Sequence, residues 1–474
     1  MTRVLLVEDE EPFVEEVRAA LRTAELDVEL TVAKDKEAAQ AHLSGEFFDL
    51  LILDLRIPTA AGALDADPAH GFAIFTSARQ MAPGLPILVL TSSSGEEYIG
   101  QLLDAARKVD VWGAGQEQNT VSFVKKLNLS GLPDHLRGII QPICDLELVE
   151  IDGPDAISIQ FGRLIRIFAR SCRAVRAVIK PLGGGLSGAP VYRIVLTDDV
   201  GARVHNAVAK LGPLPAVRDE AGRYDTHVSR LKAAATPRKL ALLEYGAKDS
   251  AAVFYQLAND FDGTAFDAAV WRTDASLAVA TSLEAMTIEW SEGVPETSRS
   301  VADIRRRMLD DDDFNEIVAK HALDWAPSLE RGRAQSLWCC VHGDLHGENA
   351  LVNANGSAVL IDYGDVGDGS RALDPVALEF SLLFHPKGPL LESEWPTEEQ
   401  AVNWPEIETY LVGCPYPEFV RSVREWAIRA AVGRREHAAA AYSYLIRQLK
   451  YDTTDGVRAK QMLDGARALF AATL

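Results

Sequence analysis

Two groups of polar residues stand out by type and spacing. Glu8 and Asp9 follow the apolar run at 4–7, Asp54 follows the run at 50–53, and Thr91 and Ser92 follow the run at 87–90. Carboxylates gathered together repel one another and favour a hard divalent cation such as Mg²⁺, which neutralises an incoming phosphoryl group. One of them can then act as nucleophile and become an aspartyl phosphate. A single acid after an apolar strand is unremarkable, because strand ends meet solvent; three in this order are not. The second group is Val341-His-Gly-Asp-Leu-His-Gly-Glu-Asn-Ala-Leu-Val-Asn353, then Ala354-Asn-Gly356, then Val359-Leu-Ile-Asp-Tyr-Gly-Asp365. This spacing predicts a loop, a short strand, a tight turn and a strand ending at Asp362, which carries both polar clusters to one edge. An Asp there can accept a hydroxyl proton, while an Asn five residues later and an Asp on the neighbouring strand hold Mg²⁺ on nucleotide phosphates. His342, Asp344 and His346 are also zinc-ligand types at alternating positions, a competing reading that the downstream Ile-Asp-Tyr-Gly-Asp disfavours.

These groups need elements to position them. Continuous apolar runs at 4–7, 28–32, 50–53 and 87–90 alternate with amphipathic stretches, the first a helix over 12–24 with Phe13, Val14, Val17 and Leu21 at helical spacing. Such runs predict buried parallel strands of a doubly wound α/β sheet, whose ligands bind outside the carboxyl ends of the strands. From 130 to 159, Gly131, Pro133, Gly138, Pro142, Gly153 and Pro154 break the periodicity, so a linker over 131–173 with small structure of its own is expected. A second, α+β unit then opens with strands at 174–179, at 191–196, ending at 207–210, and at 251–257. Helical spacing dominates 267–337 and the Ala-rich tail 420–474. Between the first two of these strands, Gly183, Gly184, Gly185, Ser187 and Gly188 let backbone N–H groups approach phosphate oxygens, although a glycine cluster alone is more often a turn.

The 474 residues are a soft prior for about three domains. Lys and Arg total 48 against 69 Asp and Glu, a net charge of −21 that repels nucleic acid and anionic membrane. At 47% hydrophobic and 25% charged, the composition is that of an ordinary folded protein. No apolar run reaches the roughly 20 residues needed to span a bilayer, and the start turns acidic before a signal-peptide core forms, so a cytoplasmic protein is expected. The five cysteines are scattered without a C-x-x-C pair, and the adjacent Cys339-Cys340, in an apolar stretch, read as buried thiols.

The pattern V-L-L-V-E-D-E, L-I-L-D-L-R-I-P and I-L-V-L-T-S resembles the receiver domain of bacterial response regulators over residues 1–130. That resemblance implies a flavodoxin-like fold, Glu8 and Asp9 as Mg²⁺ ligands beside Asp54, Asp54 as phosphoacceptor and Thr91 as the switch hydroxyl. The family's lysine lies three residues after an aromatic; Lys126 after Phe123 fits, with Lys125 a near competitor. The loop at 59–70 and the stretch from Thr91 to these lysines are longer than usual for the family. H-G-D-L-H-x-x-N followed by I-D-Y-G-D resembles the aminoglycoside phosphotransferase and choline kinase group, within the protein-kinase-like fold, and the domain it implies runs over 174–474. There the resemblance implies Asp344 as catalytic base, Asn349 and Asp362 as Mg²⁺ ligands, His342 as a brace and His346 as structural. It further implies Gly183, Gly184, Gly185 and Ser187 as the phosphate loop, Lys210 paired with Glu220, adenine contacts near Gln256 and Leu257, and Asp374 as a support of the catalytic loop. Together the two resemblances imply a two-component-type enzyme using ATP and Mg²⁺, phosphorylated by a histidine kinase or small phosphodonor. The partners expected are a hydroxyl-bearing substrate, no nucleic acid and no membrane, and a homodimer is compatible with the reading. The alternatives are a nucleotide-binding pseudokinase or scaffold, and a protein Ser/Thr kinase.

Overall fold

The computed structural model describes residues 2–91, 99–104, 108–154, 157–182, 190–231, 236–257, 261–271 and 273–473. The chain divides into two compact units, residues 1–218 with 239–256, and residues 219–238 with 257–474. Among the described residues no helix is long and apolar enough to cross a membrane.

The first unit begins with β1 (Thr2–Val7), α1 (Glu11–Thr23), β2 (Val28–Ala33), α2 (Lys36–Gly45), β3 (Leu50–Asp54), α3 (Pro68–Met81) and β4 (Ile87–Thr91). It continues with α4 (Ile99–Asp104), the short ladder β5 (Lys108–Val109) and β6 (Gln118–Asn119), β7 (Val121–Lys125) and α5 (Leu132–Cys144). Five parallel strands stand in the order β2-β1-β3-β4-β7. The sequence runs are continuously apolar because alternate residues feed two cores. Leu5, Val7, Leu51, Leu53, Ile87 and Val89 pack with α2 and α3 on one face, and Val4, Leu6, Leu50, Ile52, Leu88 and Leu90 pack with α1 and α5 on the other. Asp35 caps α2 through Ala38 N (2.8 Å) and Asp67 caps α3 through Ala69 N, with Pro68 at the first turn.

Residues 131–173 are shared between neighbours. Helix α5 closes the first sheet, through Leu132, Leu136 and Ile140. Next, β8 (Glu150–Asp152) pairs with β9 (Arg176–Leu182), and α6 (Ile159–Ser171) lies against the sheet so formed. That sheet is completed by β10 (Val191–Thr197), β11 (Arg203–Pro213), β12 (Lys239–Leu243) and β13 (Ser250–Gln256), in the order β12-β13-β11-β10-β9-β8. Phe168 of α6 stacks on Phe254 of β13 at 3.9 Å between ring centroids, which fixes the helix on the sheet. Helix α7 (Leu214–His227) follows β11.

The second unit contains β14 (Gly263–Thr264), α8 (Ala265–Trp271), α9 (Thr273–Thr287), β15 (Glu296–Ser300), α10 (Val301–Arg306), α11 (Asp311–His321), α12 (Ala326–Glu330) and β16 (Arg333–Val341). The hairpin β17 (Ala350–Val352) and β18 (Ala358–Leu360) comes next, then β19 (Gly367–Ser370) and α13 (Leu373–Phe384). The chain ends in α14 (Glu398–Val402), α15 (Ile407–Tyr410), α16 (Pro417–Ala430), α17 (Arg434–Gln448) and α18 (Gly456–Ala471). The 267–337 stretch, expected to be helical, is broken by β15 and β16, which pair antiparallel. Residues Arg333–Val341 bury partly in alternation, and buried Ser336 with half-buried Leu337, Trp338 and Cys340 blurs that period in the sequence. Glu436 of α17 accepts hydrogen bonds from Ser336 Oγ (2.5 Å) in β16 and Ser370 Oγ (2.6 Å) in β19, binding the tail helix to the strand that leads into the 342–349 loop.

Candidate functional site

In the first unit, Glu8 follows β1 and Asp54 ends β3, so the parallel register of these strands brings both acids to one sheet edge. Carboxylate oxygens of Glu8, Asp9 and Asp54 lie within 4.8 Å of one another, a hard donor set that fits Mg²⁺. Lys126 Nζ donates to Asp54 Oδ2 at 2.9 Å and reaches Glu8 Oε2 at 2.7 Å, while resting 4.2 Å from the centroid of the Phe13 ring. Burial pushes Glu8 up to about 7 even though Lys126 opposes the shift, and it raises Asp54 as well. Burial pulls Lys126 down, but Asp54 and Glu8 more than offset it and the net shift is upward. Of the two candidate lysines, Lys126 meets the acids; Lys125 lies in β7 opposite Thr91 and is exposed. Thr91 closes β4, and its side chain lies outside the described residues.

In the second unit, Asp374 at the start of α13 accepts from the backbone N–H of His342 (2.7 Å) and of Gly343 (3.0 Å). His342 Nε2 meets the Ile361 carbonyl at 3.0 Å, tying the loop to the hairpin, and among the described residues His342, Asp344 and His346 do not form a metal-capable group. Gly343 has φ +84°, and a Cβ there would collide with Asp365 O and the Arg307 guanidinium. These constraints fix Asp344, whose backbone carbonyl accepts from Asn349 Nδ2 at 2.9 Å. Ile361 N donates to Asn349 O at 3.0 Å, extending the hairpin ladder by one rung and setting Asn349 next to Asp362. Asp362 has φ +64°, a left-handed conformation that costs a non-glycine residue about 1–3 kcal/mol and collects at functional sites. An amide and a carboxylate held on adjoining rungs are suitable hard ligands for Mg²⁺.

The Asp344 carboxylate meets Arg447 Nη1 of α17 at 3.3 Å and His346 Nε2 at 3.7 Å. Burial raises Asp344, but the Arg447 guanidinium leads the opposing charges, and the group is left below its ordinary range, ionised at neutral pH. His346 stacks on His385 with centroids 4.3 Å apart, and burial drives it down to about 4, so it is neutral.

The other expected residues are placed individually. Lys210 is buried in β11 opposite Val253 of β13 and Val191 of β10. Glu220 is buried on α7, Gln256 ends β13 exposed, and Leu257 is buried. Gly183, Gly184, Gly185 and Ser187 lie outside the described residues.

Residues 4–108 match the model of the response regulator receiver domain, and residues 175–392 match the phosphotransferase enzyme family. The chain is a receiver domain joined to a phosphotransferase-family domain. The receiver has the flavodoxin-like parallel sheet and the second domain the kinase-like fold. The receiver match stops at 108, whereas the structure supplies the fifth strand and Lys126 beyond it, after the β5–β6 ladder. Similar solved structures include the phosphorylated cyanobacterial phytochrome response regulator RcpA, 22% identical over 30% of this chain and 91% of that one, with TM-score 0.22. The receiver domain of sensor histidine kinase PA1611 from Pseudomonas aeruginosa PAO1 with magnesium is 20% identical over 30% and 98%, with TM-score 0.22. A thermostable mutant of aminoglycoside phosphotransferase APH(4)-Ia is 14% identical over 62% and 94%, with TM-score 0.36. Comparison with curated proteins gives no match.

Two contributors to these sites carry no mark in the sequence. Phe13 is one of several apolar positions of an amphipathic helix, and only the fold puts it over Lys126. Arg447 stands 103 residues from Asp344 in an Ala-rich helix, where one arginine reads as a solvated face.

Proposed function

We propose that the receiver, phosphorylated on Asp54 by a histidine kinase or small phosphodonor, regulates transfer of the ATP γ-phosphoryl group to a hydroxyl in the phosphotransferase domain. The observation that carries the reading is the Asp344 carboxylate, kept ionised on a loop pinned by Asp374 and His342, one hairpin rung from Asn349 and Asp362. Asp344 accepts the hydroxyl proton, Lys210 holds the nucleotide phosphates with Glu220 as its support, and Gln256 and Leu257 flank adenine. Mg²⁺, held by Asn349 and Asp362, supplies charge neutralisation on the phosphates. The test is mass spectrometry of products formed from Mg²⁺-ATP and a mixture of hydroxyl compounds: phosphorylated acceptor with ADP supports transfer, and bound ATP without any product rejects it. Lys210→Ala and Asp362→Asn are each expected to weaken Mg²⁺-ATP binding by calorimetry; unchanged binding in both would move the nucleotide site elsewhere.

The regulatory half of the reading is supported inside the first unit. Val111 and Trp112, from the expanded receiver segment, are buried in one cluster with Ile143 and Leu146 and with Ile167 of α6, against which Leu243 of β12 and Tyr245 pack. A Cβ on Gly246 would come within 2.8 Å of Ile167 and 3.2 Å of Trp112, so the packing leaves no slack. Lys248 Nζ donates to the carbonyls of Ser44 (2.8 Å) and Glu46 (3.0 Å) at the end of α2. On this reading the receiver runs through α5, and a shift of its switch face is felt directly by the sheet that carries Lys210. Acetyl phosphate or beryllofluoride is expected to change phosphotransferase activity by roughly 5- to 150-fold, the range of typical coupling energies. The change is expected in the wild type, to vanish in Asp54→Ala, and to shrink in Trp112→Ala; Asp54 phosphorylation with constant activity would sink the coupling.

A further inference from the structure

The acceptor's own charge is legible around Asp344. Its carboxylate contacts Arg447 through a single 3.3 Å approach to Oδ1, and Tyr451 lies near the guanidinium. A guanidinium carries five N–H donors in a planar fork that matches a carboxylate or phosphate bidentately. One long contact to one oxygen uses that fork poorly. Side-chain exposures of 19% for Arg447 and 30% for Asp344 leave both open to an incoming molecule. Two acids of this loop already hold cations: Glu348 meets Lys387 at 2.9 Å and Asp344 meets Arg447. An ammonium group arriving beside Arg447 would face its positive charge; an anion would find the fork.

We infer that Arg447 reads the acceptor, and that the hydroxyl substrate bears a carboxylate or phosphate group which Arg447 binds while the hydroxyl meets Asp344. This rests on the transferase reading above. In the step itself the acceptor oxygen bonds to the γ-phosphorus, the bond from that phosphorus to the β-bridging oxygen breaks, ADP leaves, and the hydroxyl proton passes to the Asp344 carboxylate. The acceptor's anion stays bound to Arg447 throughout and is not consumed. The net charge of −21 points weakly toward a cationic acceptor, but the charge within a few ångströms of the reacting hydroxyl outweighs a sum over 474 residues.

The experiment presents full-length protein and Mg²⁺-ATP with a small-metabolite extract, identifies phosphorylated products by mass, and measures their kinetics with purified acceptors in wild type, Arg447→Met and Arg447→Lys. The expected acceptors are hydroxy acids or sugar and nucleoside phosphates. Arg447→Met should lower kcat/KM for them by roughly 10- to 1000-fold, chiefly through KM, as loss of a buried charge-pair partner does. Arg447→Lys should restore part of this, since it keeps the charge and loses the fork. Products formed only from acceptors that carry neither carboxylate nor phosphate would overturn the inference. So would an Arg447→Met loss confined to kcat and equal for charged and neutral acceptors, which would give the arginine to the transferring phosphoryl group. ATP binding with no phosphorylated product from any acceptor would reject the transferase reading itself, a result distinguishable from both.

Discussion

Asp344→Asn is expected to cut turnover by a factor of roughly 10²–10⁴, the usual loss when a general base is removed, with affinity for Mg²⁺-ATP nearly intact. The amide is close to the carboxylate in shape but cannot accept the hydroxyl proton. The loop should hold its position, because its anchors are backbone bonds of His342 and Gly343 to Asp374 and the His342 ring on Ile361, none of which uses the Asp344 side chain. Asn349 donates to the Asp344 backbone carbonyl, which the substitution leaves in place. Single-turnover rates and calorimetry on the same preparations separate the two effects. Equal turnover in mutant and wild type would remove Asp344 from the base's role, and a parallel collapse of ATP affinity would mean that the loop itself had moved.

How much of this was legible in the sequence depended on distance along the chain. The apolar runs of β1, β3 and β4 could be read because these strands are buried on both faces, so the signal is continuous and local, and the edge strand β2 shows as half-buried Val28, Leu30 and Val32 in alternation. The Asp344, Asn349 and Asp362 set could be read because a five-residue turn between β17 and β18 forces the polar ends together. Lys126 against Lys125 could not be settled, since β7 ends between them and one residue at that strand end decides which side chain reaches Asp54. Trp112 stands inside a segment that shows no periodicity, and what buries it, α6 and β12, lies some 50 to 130 residues later. Nor could Arg447 be found, since the contact is made by the packing of α17 and leaves no local pattern.

Glu379→Ala is expected to remove about 3–5 kcal/mol from the stability of the second unit, the cost of stranding one member of a buried ion pair. Glu379 is on α13, one turn past the Asp374 that holds the 342–349 loop, and its carboxylate takes two bonds from Arg424 (2.7 and 2.6 Å) and one from Trp404 Nε1 (3.0 Å). Arg424 is 1% exposed, lies 4.3 Å from the centroid of the Trp404 ring, and donates to the Trp404 carbonyl at 2.9 Å. Alanine would leave that guanidinium without a counter-charge and Trp404 without an acceptor, in a region too well packed to admit water freely. Because the chain holds more than one folded unit, the loss should be read locally, by hydrogen exchange of α13 and α16 amides, with the receiver's β1 and β3 amides as an internal control. Replacing both partners, Glu379→Met with Arg424→Met, should recover most of the loss, since two apolar side chains of similar volume leave no stranded charge. A single mutant that loses under about 1 kcal/mol would mean that water or a rearranged tryptophan satisfies Arg424. A double mutant as unstable as the single would assign the cost to lost volume and not to charge. Where the single mutant behaves as expected, phosphotransfer should fail together with α13 protection, because Asp374 positions Asp344 only while that helix is docked.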